Sequence, residues 1–111
     1  MDLERQTRPG FSGAAYRYIR ATDKIPTYVE IADESDPLCR VKLFGGPGTW
    51  WIAAYDPDTR IAWGVAEIQE RETGSFSMDE LVDLRIPPFG LPVERDLDWT
   101  PQRVSKIIAG R

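Results

Sequence analysis

Residues 49–68 read TWWIAAYDPDTRIAWGVAEI, and this stretch decides the fold. Trp50, Trp51, Ile52 and Tyr55 on one side of Asp56-Pro57-Asp58-Thr59, and Ile61, Trp63, Val65 and Ile68 on the other, are β-branched or aromatic, as pleated strands require. Asp56 suits the first position of a type I turn and Pro57 the second. The two runs therefore predict a hairpin of two long strands, Thr49–Tyr55 and Arg60–Ile68. Trp50 and Trp51 point to opposite sheet faces, so one belongs to a core while the other is exposed or covered by a helix.

Outward from this hairpin, Leu38 to Phe44 alternates, with Cys39, Val41 and Leu43 inward and Arg40 and Lys42 toward water. Thr27–Ile31 predicts an extended piece, and Asp33-Glu34-Ser35-Asp36-Pro37 a turn. Glu70–Thr73 is polar and turns the chain, and Gly74-Ser75-Phe76 predicts a short strand. Ser77-Met78-Asp79-Glu80 fits the S-x-x-E capping box and opens a helix burying Met78, Leu81 and Val82. Phe89-Gly90-Leu91-Pro92 is a loop before a last strand, Val93–Trp99. Thr100 and Pro101 then predict the start of a final helix whose stripe is Val104, Ile107 and Ile108. A further helix is expected from Gly13 to Thr22, capped by Ser12, with Ala14, Ala15, Tyr18 and Ile19 on one stripe. Short turns between sequential strands make the sheet mainly antiparallel. The reading is α+β: four to five antiparallel strands with about three helices packed on one face. Residues 1–11 form a flexible arm and 12–111 a single domain.

Composition narrows the chemistry. There is no histidine among the 111 residues, which removes the commonest neutral-pH base and metal ligand. One cysteine, Cys39, permits neither an internal disulfide nor a zinc cluster, and a cytoplasmic setting is the expectation. No apolar run approaches the roughly 18 residues of a membrane span. The formal net charge of −4 is unevenly spread. Residues 1–24 hold five basic and three acidic side chains, residues 25–98 six and fifteen, and residues 99–111 three and none. The middle is acidic and both ends are basic.

Several motifs, in order, carry a resemblance. Ile25-Pro26-Thr27-Tyr28 precedes the acidic turn ending in Asp36-Pro37, and Val41-Lys42-Leu43-Phe44 leads to Thr49-Trp50-Trp51-Ile52. Ile61-Ala62-Trp63-Gly64-Val65 leads to Gly74-Ser75-Phe76-Ser77-Met78-Asp79-Glu80-Leu81, and Phe89-Gly90-Leu91-Pro92-Val93-Glu94-Arg95-Asp96-Leu97 meets Trp99. Over roughly residues 20 to 108 the chain resembles an uncharacterised domain-of-unknown-function family of small proteins carried by bacterial plasmids, conjugative elements and phages. The resemblance implies a mobile-element setting and transfers no catalytic or binding residue.

Candidate binding residues are Glu94, Arg95, Asp96, Trp51, Trp63 and Trp99. Arg95 either holds an anionic group through its planar fork or ties the preceding loop to carboxylates of the fold. An exposed tryptophan beside arginine would read as a hot spot or stacking platform, a buried one as core. Asp33, Glu34 and Asp36 lack the spacing of a calcium loop, and Gly45-Gly46-Pro47-Gly48 lacks the Lys-Ser/Thr ending of a phosphate loop. No catalytic residue, metal or cofactor is assigned. The expected function is a non-catalytic binding or regulatory protein of a mobile element, acting through a protein–protein surface. The alternatives are a nucleic-acid binder using its basic ends and aromatic stacking, and a carboxylate enzyme using Glu67, Glu94 or Asp96.

Overall fold

The computed structural model describes residues 5–6 and 16–110. A five-stranded antiparallel sheet forms its centre. Four strands follow one another: β1 (Val41–Gly45), β2 (Gly48–Asp56), β3 (Ile61–Glu67) and β4 (Arg71–Ser77). The fifth, β5 (Glu94–Arg95), returns to pair with β1, giving the order β5-β1-β2-β3-β4. Two α-helices complete the fold, α1 (Met78–Asp83) and α2 (Val104–Ala109).

The hairpin expected from residues 49–68 is β2 and β3. Asp56 Oδ1 accepts the Asp58 N–H at 2.8 Å, and Arg60 closes the turn with φ of 62°. A bulge between Ile52 and Ala54 shifts the register. The shift puts both Ala53 and Ala54 on the face of Trp51, whereas Trp50, Ile52 and Tyr55 face the other way. Six consecutive residues, Trp50 to Tyr55, are thereby buried.

The sheet is covered on both faces. One cluster gathers Trp50, Ile52, Val41, Leu43 and Val93 with Met78 and Leu81 of α1. The opposite cluster gathers Trp51, Val65, Cys39 and Ile31 with Ile107 of α2. Helices on opposite faces replace the expected single helical layer. The helical stripe of α2 is as expected: Ile107 is buried, with Val104 and Ile108 packed beside it. Cys39, Val41 and Leu43 are all buried, but Cys39 belongs to the other core, because the chain leaves its ladder at Arg40 between the short Leu38–Cys39 pairing and β1.

Among the described residues two α-helices are found where three were expected. Instead of a helix over Gly13–Thr22, Tyr16–Arg17 pairs with Arg5–Gln6, and Ala21–Asp23 make one 3-10 turn. Residues 13–15, and all of the expected arm except Arg5–Gln6, lie outside the described residues. Side chains take the backbone groups a helix would have used, one from far along the chain and one three residues on. The Tyr18 carbonyl accepts from Arg95 at 2.9 Å, and the Arg20 N–H donates to Asp23 at 2.7 Å. The final helix starts later than Thr100, because Gln102–Arg103 pair with Leu38–Cys39. Its cap comes from far along the chain: Asp36 accepts the Ser105 N–H at 2.8 Å and the Ser105 hydroxyl at 2.5 Å. These bonds hold the Asp36 carboxyl below the usual carboxylate range.

At Thr27–Ile31 the expected extended piece is a 3-10 turn, Val29–Ile31. Thr27 and Glu30 close it reciprocally: the Thr27 N–H donates to Glu30 at 2.7 Å and the Glu30 N–H to Thr27 Oγ1 at 3.3 Å. That is a capping box, T-x-x-E, present in the sequence. At Ser77 the expected box forms in one direction, Oγ accepting from the Glu80 N–H at 3.3 Å. The expected strand Val93–Trp99 shrinks to Glu94–Arg95, and the second half of the expected loop, Leu91–Pro92, is a short strand paired with Arg85–Ile86. Conversely, β4 absorbs Arg71–Thr73, leaving 68–70 to turn the chain; an outermost strand that meets solvent on both faces tolerates polar residues.

Candidate functional site

Pairing of β5 with β1 sends Arg95 to one sheet face, while Asp96, just past the strand, turns to the other. Arg95 reaches Asp23 with two bonds, Nη1 to Oδ2 and Nη2 to Oδ1, each 2.7 Å. It also donates to the Tyr18 carbonyl. Burial alone would raise the Asp23 carboxyl, but the bonds from Arg95 and the Arg20 N–H, with the charges of both arginines, hold it below its ordinary value. The side chains of Arg95 and Asp23 are only 10% and 11% exposed. This cluster fastens residues 18–23 to the sheet.

Asp96 takes the Asp98 N–H at 2.9 Å and lies 3.6 Å from Lys42 Nζ. Trp99 donates from Nε1 to the Cys39 carbonyl at 3.0 Å. Lys42 Nζ sits between the Trp99 and Trp51 rings, 5.5 and 5.9 Å from their centroids. The Arg71 guanidinium covers Trp51 at 4.9 Å and donates to Glu67 at 2.8 Å and to the Ile107 carbonyl. Trp51 is thus enclosed between two cations and the α2 cluster, an arrangement that favours rigidity. Glu94 is half-buried on β5.

Trp63 differs from the other candidates. It lies half-buried on β3 with its ring 5.6 Å from that of Tyr28, tilted by 59°. Together with Ala54, Thr59, Ile61 and Ser75 the two rings line an open groove of about 490 Å³. Tyr28 is 55% exposed and Val29, next to it, 83%. Tyr28 and Val29 are residues that the sequence reading missed. The Thr27-x-x-Glu30 box was the available signal, since a turn there projects the two residues it encloses.

A second, more apolar depression of about 480 Å³ lies at the far end of β2. Trp50, Ile68, Leu84, Ile86 and Pro87 line it beside the Gly45–Gly48 turn. Among the described residues no three His, Cys, Asp or Glu side chains gather as a metal site would need. No helix among them is long and apolar enough to cross a membrane. Burial, with the Asp36 charge nearby, pushes the Cys39 thiol up to about 12.

These features define a small α+β domain, a five-stranded antiparallel sheet closed on both faces, with an aromatic groove beside one edge. Residues 17–109 match the family model described as a protein of unknown function (DUF2958), and the chain belongs to that family. No curated protein and no solved structure matches it.

Proposed function

We propose that this chain is a non-catalytic accessory protein of a mobile genetic element that binds another protein through the groove formed by Tyr28 and Trp63. The observation that carries the reading is the pairing of these rings in an open groove next to exposed Val29. Solvated aromatic area of this kind is what binding hot spots are made of. The polar candidates support it from the other side. Arg95 and Asp96 hold partners within the fold, and Lys42 and Arg71, which were not candidates, cover Trp51, so Trp63 is the tryptophan best placed to meet a ligand. The mobile-element setting rests on the motif resemblance, and a cytoplasmic setting goes with it. A nucleic-acid binder has weaker support, because the charge around the middle of the chain is acidic. A carboxylate enzyme lacks support because Glu67 and Asp96 each pair with a cation.

The test is co-expression with each protein encoded beside its gene, followed by co-purification of wild type and Tyr28→Glu. Association of one such protein with the wild type and its loss in the variant, at unchanged circular dichroism, is the expected result. Association indifferent to Tyr28→Glu, or none at all alongside tight oligonucleotide binding at low salt, contradicts the reading.

A further inference from the structure

Seven residues of β4, Arg71–Ser77, pair with β3 on one side, from Arg71 against Glu67 to Ser77 against Ile61, without a register break. On the other side β4 is the sheet's last strand among the described residues. An outer strand offers a row of backbone donors and acceptors, and proteins usually blunt it with lysine, proline or a bulge. The segment R-E-T-G-S-F-S has no lysine, proline or bulge; its charges, Arg71 and Glu72, lie at its start, and Thr73–Ser77 carries none.

Gly74, at its centre, is unexplained by packing among the described residues. A Cβ there would meet nothing within 4 Å, in contrast to Gly64, where it would fall 1.9 Å from the Trp51 carbonyl oxygen. Glycine inside a strand weakens it, and one reason to keep it is close approach of another backbone. Grooves also flank this edge on both faces. One, of about 380 Å³, runs along Ala66, Glu72, Gly74 and Phe76; the other is the Tyr28–Trp63 groove, which reaches Ser75. An added strand places alternate side chains on alternate faces, one set for each groove.

We infer that the outer edge of β4 accepts, as a sixth strand, an extended segment of a partner protein with an uncharged middle and Lys or Arg at its ends. This rests on the protein-binding reading and says how the partner engages. Charge selects the ends. Glu70 and Glu72 are exposed at the start of β4, and Glu80 and Asp83 are exposed in α1, which begins directly after it. Arg71 turns its guanidinium inward onto Trp51 and Glu67. The same charges disfavour a second copy of this chain. Antiparallel self-pairing about Gly74 would set Glu70 of one copy opposite Met78 of the other, beside Asp79 and Glu80.

The test titrates the full-length, 15N-labelled protein with the synthetic peptide Lys-Lys-Val-Thr-Val-Thr-Val-Lys-Lys and its glutamate-ended counterpart, in about 0.05 M and about 0.3 M salt. The lysine peptide should shift the Arg71–Ser77 amides and the Trp63 indole and slow exchange at alternate β4 amides. The glutamate peptide, the higher salt, and the double variant Thr73→Lys with Ser75→Lys should each weaken binding by at least about tenfold. Both substituted residues are exposed, so the variant should keep the wild-type spectral dispersion. Unmoved β4 amides at about 1 mM lysine peptide overturn the inference. So do shifts gathered around Trp50, or sedimentation showing self-association through β4. A neighbour-encoded protein that binds through Tyr28 while the β4 amides stay still sinks strand addition alone and leaves the protein-binding reading standing.

Discussion

Arg95 and Asp23 meet as a two-pronged ion pair, both guanidinium Nη atoms 2.7 Å from a carboxylate oxygen. The pair joins β5 to the 3-10 turn at residues 21–23 across 72 positions of sequence. Removing one partner strands the other charge in a nearly closed environment. Arg95→Ala is therefore expected to destabilise the fold by about 3 kcal/mol, the lower range for breaking a buried pair. Arg95→Lys should recover less than half of that, because an ammonium cannot span both oxygens and the Tyr18 carbonyl. Urea denaturation of the three proteins checks this, and a loss under about 0.5 kcal/mol, typical of surface pairs, would contradict it.

The same pair gives an acid limb to stability. Asp23 titrates in the folded protein below its ordinary value of 3.8. Its contribution is complete above that value and is lost as pH falls through the depressed folded pKa. Stability should therefore drop below about pH 4, and Asp23→Asn should flatten part of the drop. Asp36 and Glu30, both also lowered, act in the same direction. Denaturation midpoints at closely spaced acid pH values read the difference, and parallel curves for wild type and Asp23→Asn would count against it.

Two glycines of one cross-strand pair should respond oppositely to alanine. Gly64 faces Gly74 across β3 and β4. At Gly64 a methyl would lie 1.9 Å from the Trp51 carbonyl oxygen, so Gly64→Ala must push β2 and β3 apart next to the bulge. A loss of at least about 3 kcal/mol, or failure to fold, is expected. At Gly74 the space is open, and Gly74→Ala should stabilise the protein by roughly 0.5–1 kcal/mol by restricting the unfolded chain. Thermal melts of both variants decide, and equal effects would contradict the packing described.

Cys39 should be inert in the folded protein. It is fully buried, and its thiol titrates near 12, so almost no thiolate exists at pH 8. Reaction with a chromogenic disulfide should be at least about a hundredfold slower than in the urea-unfolded chain. Comparable rates would mean that the α2 face opens readily.

Legibility in the sequence followed the range of the interactions. The β2–β3 hairpin was readable because its turn chemistry and its apolar runs are local and agree. The start of α1 at Ser77 was readable for the same reason. The region of Tyr18 and Ile19 was not, because its helical spacing also suits a segment pinned by Arg95, some 77 positions away. The α2 start was misplaced because its cap is Asp36, brought in by the Leu38–Cys39 pairing and invisible as a local motif. The first part of β4, Arg71–Thr73, read as a turn because an edge needs no apolar alternation, whereas Gly74–Phe76 read as a strand and is one. Of the candidate site residues, Arg95 carried both a ligand-binding and a structural reading, and the bonds to Asp23 favour the second. Trp63 lies beside Tyr28, which is exposed at a capping box that the sequence contained.

Four tryptophan indoles provide the most direct test of the proposed binding groove. Each gives its own N–H signal, and each lies in a different setting: Trp50 and Trp51 in opposite cores, Trp99 bonded to the Cys39 carbonyl, Trp63 in the groove. Recorded with a co-purifying, neighbour-encoded protein added, the Trp63 indole should shift and broaden while the Trp99 and Trp51 signals hold. A Trp63 signal that stays fixed while Trp99 or Trp51 moves would place binding at the Lys42–Asp96 end of the same sheet face, away from the groove, and contradict the account.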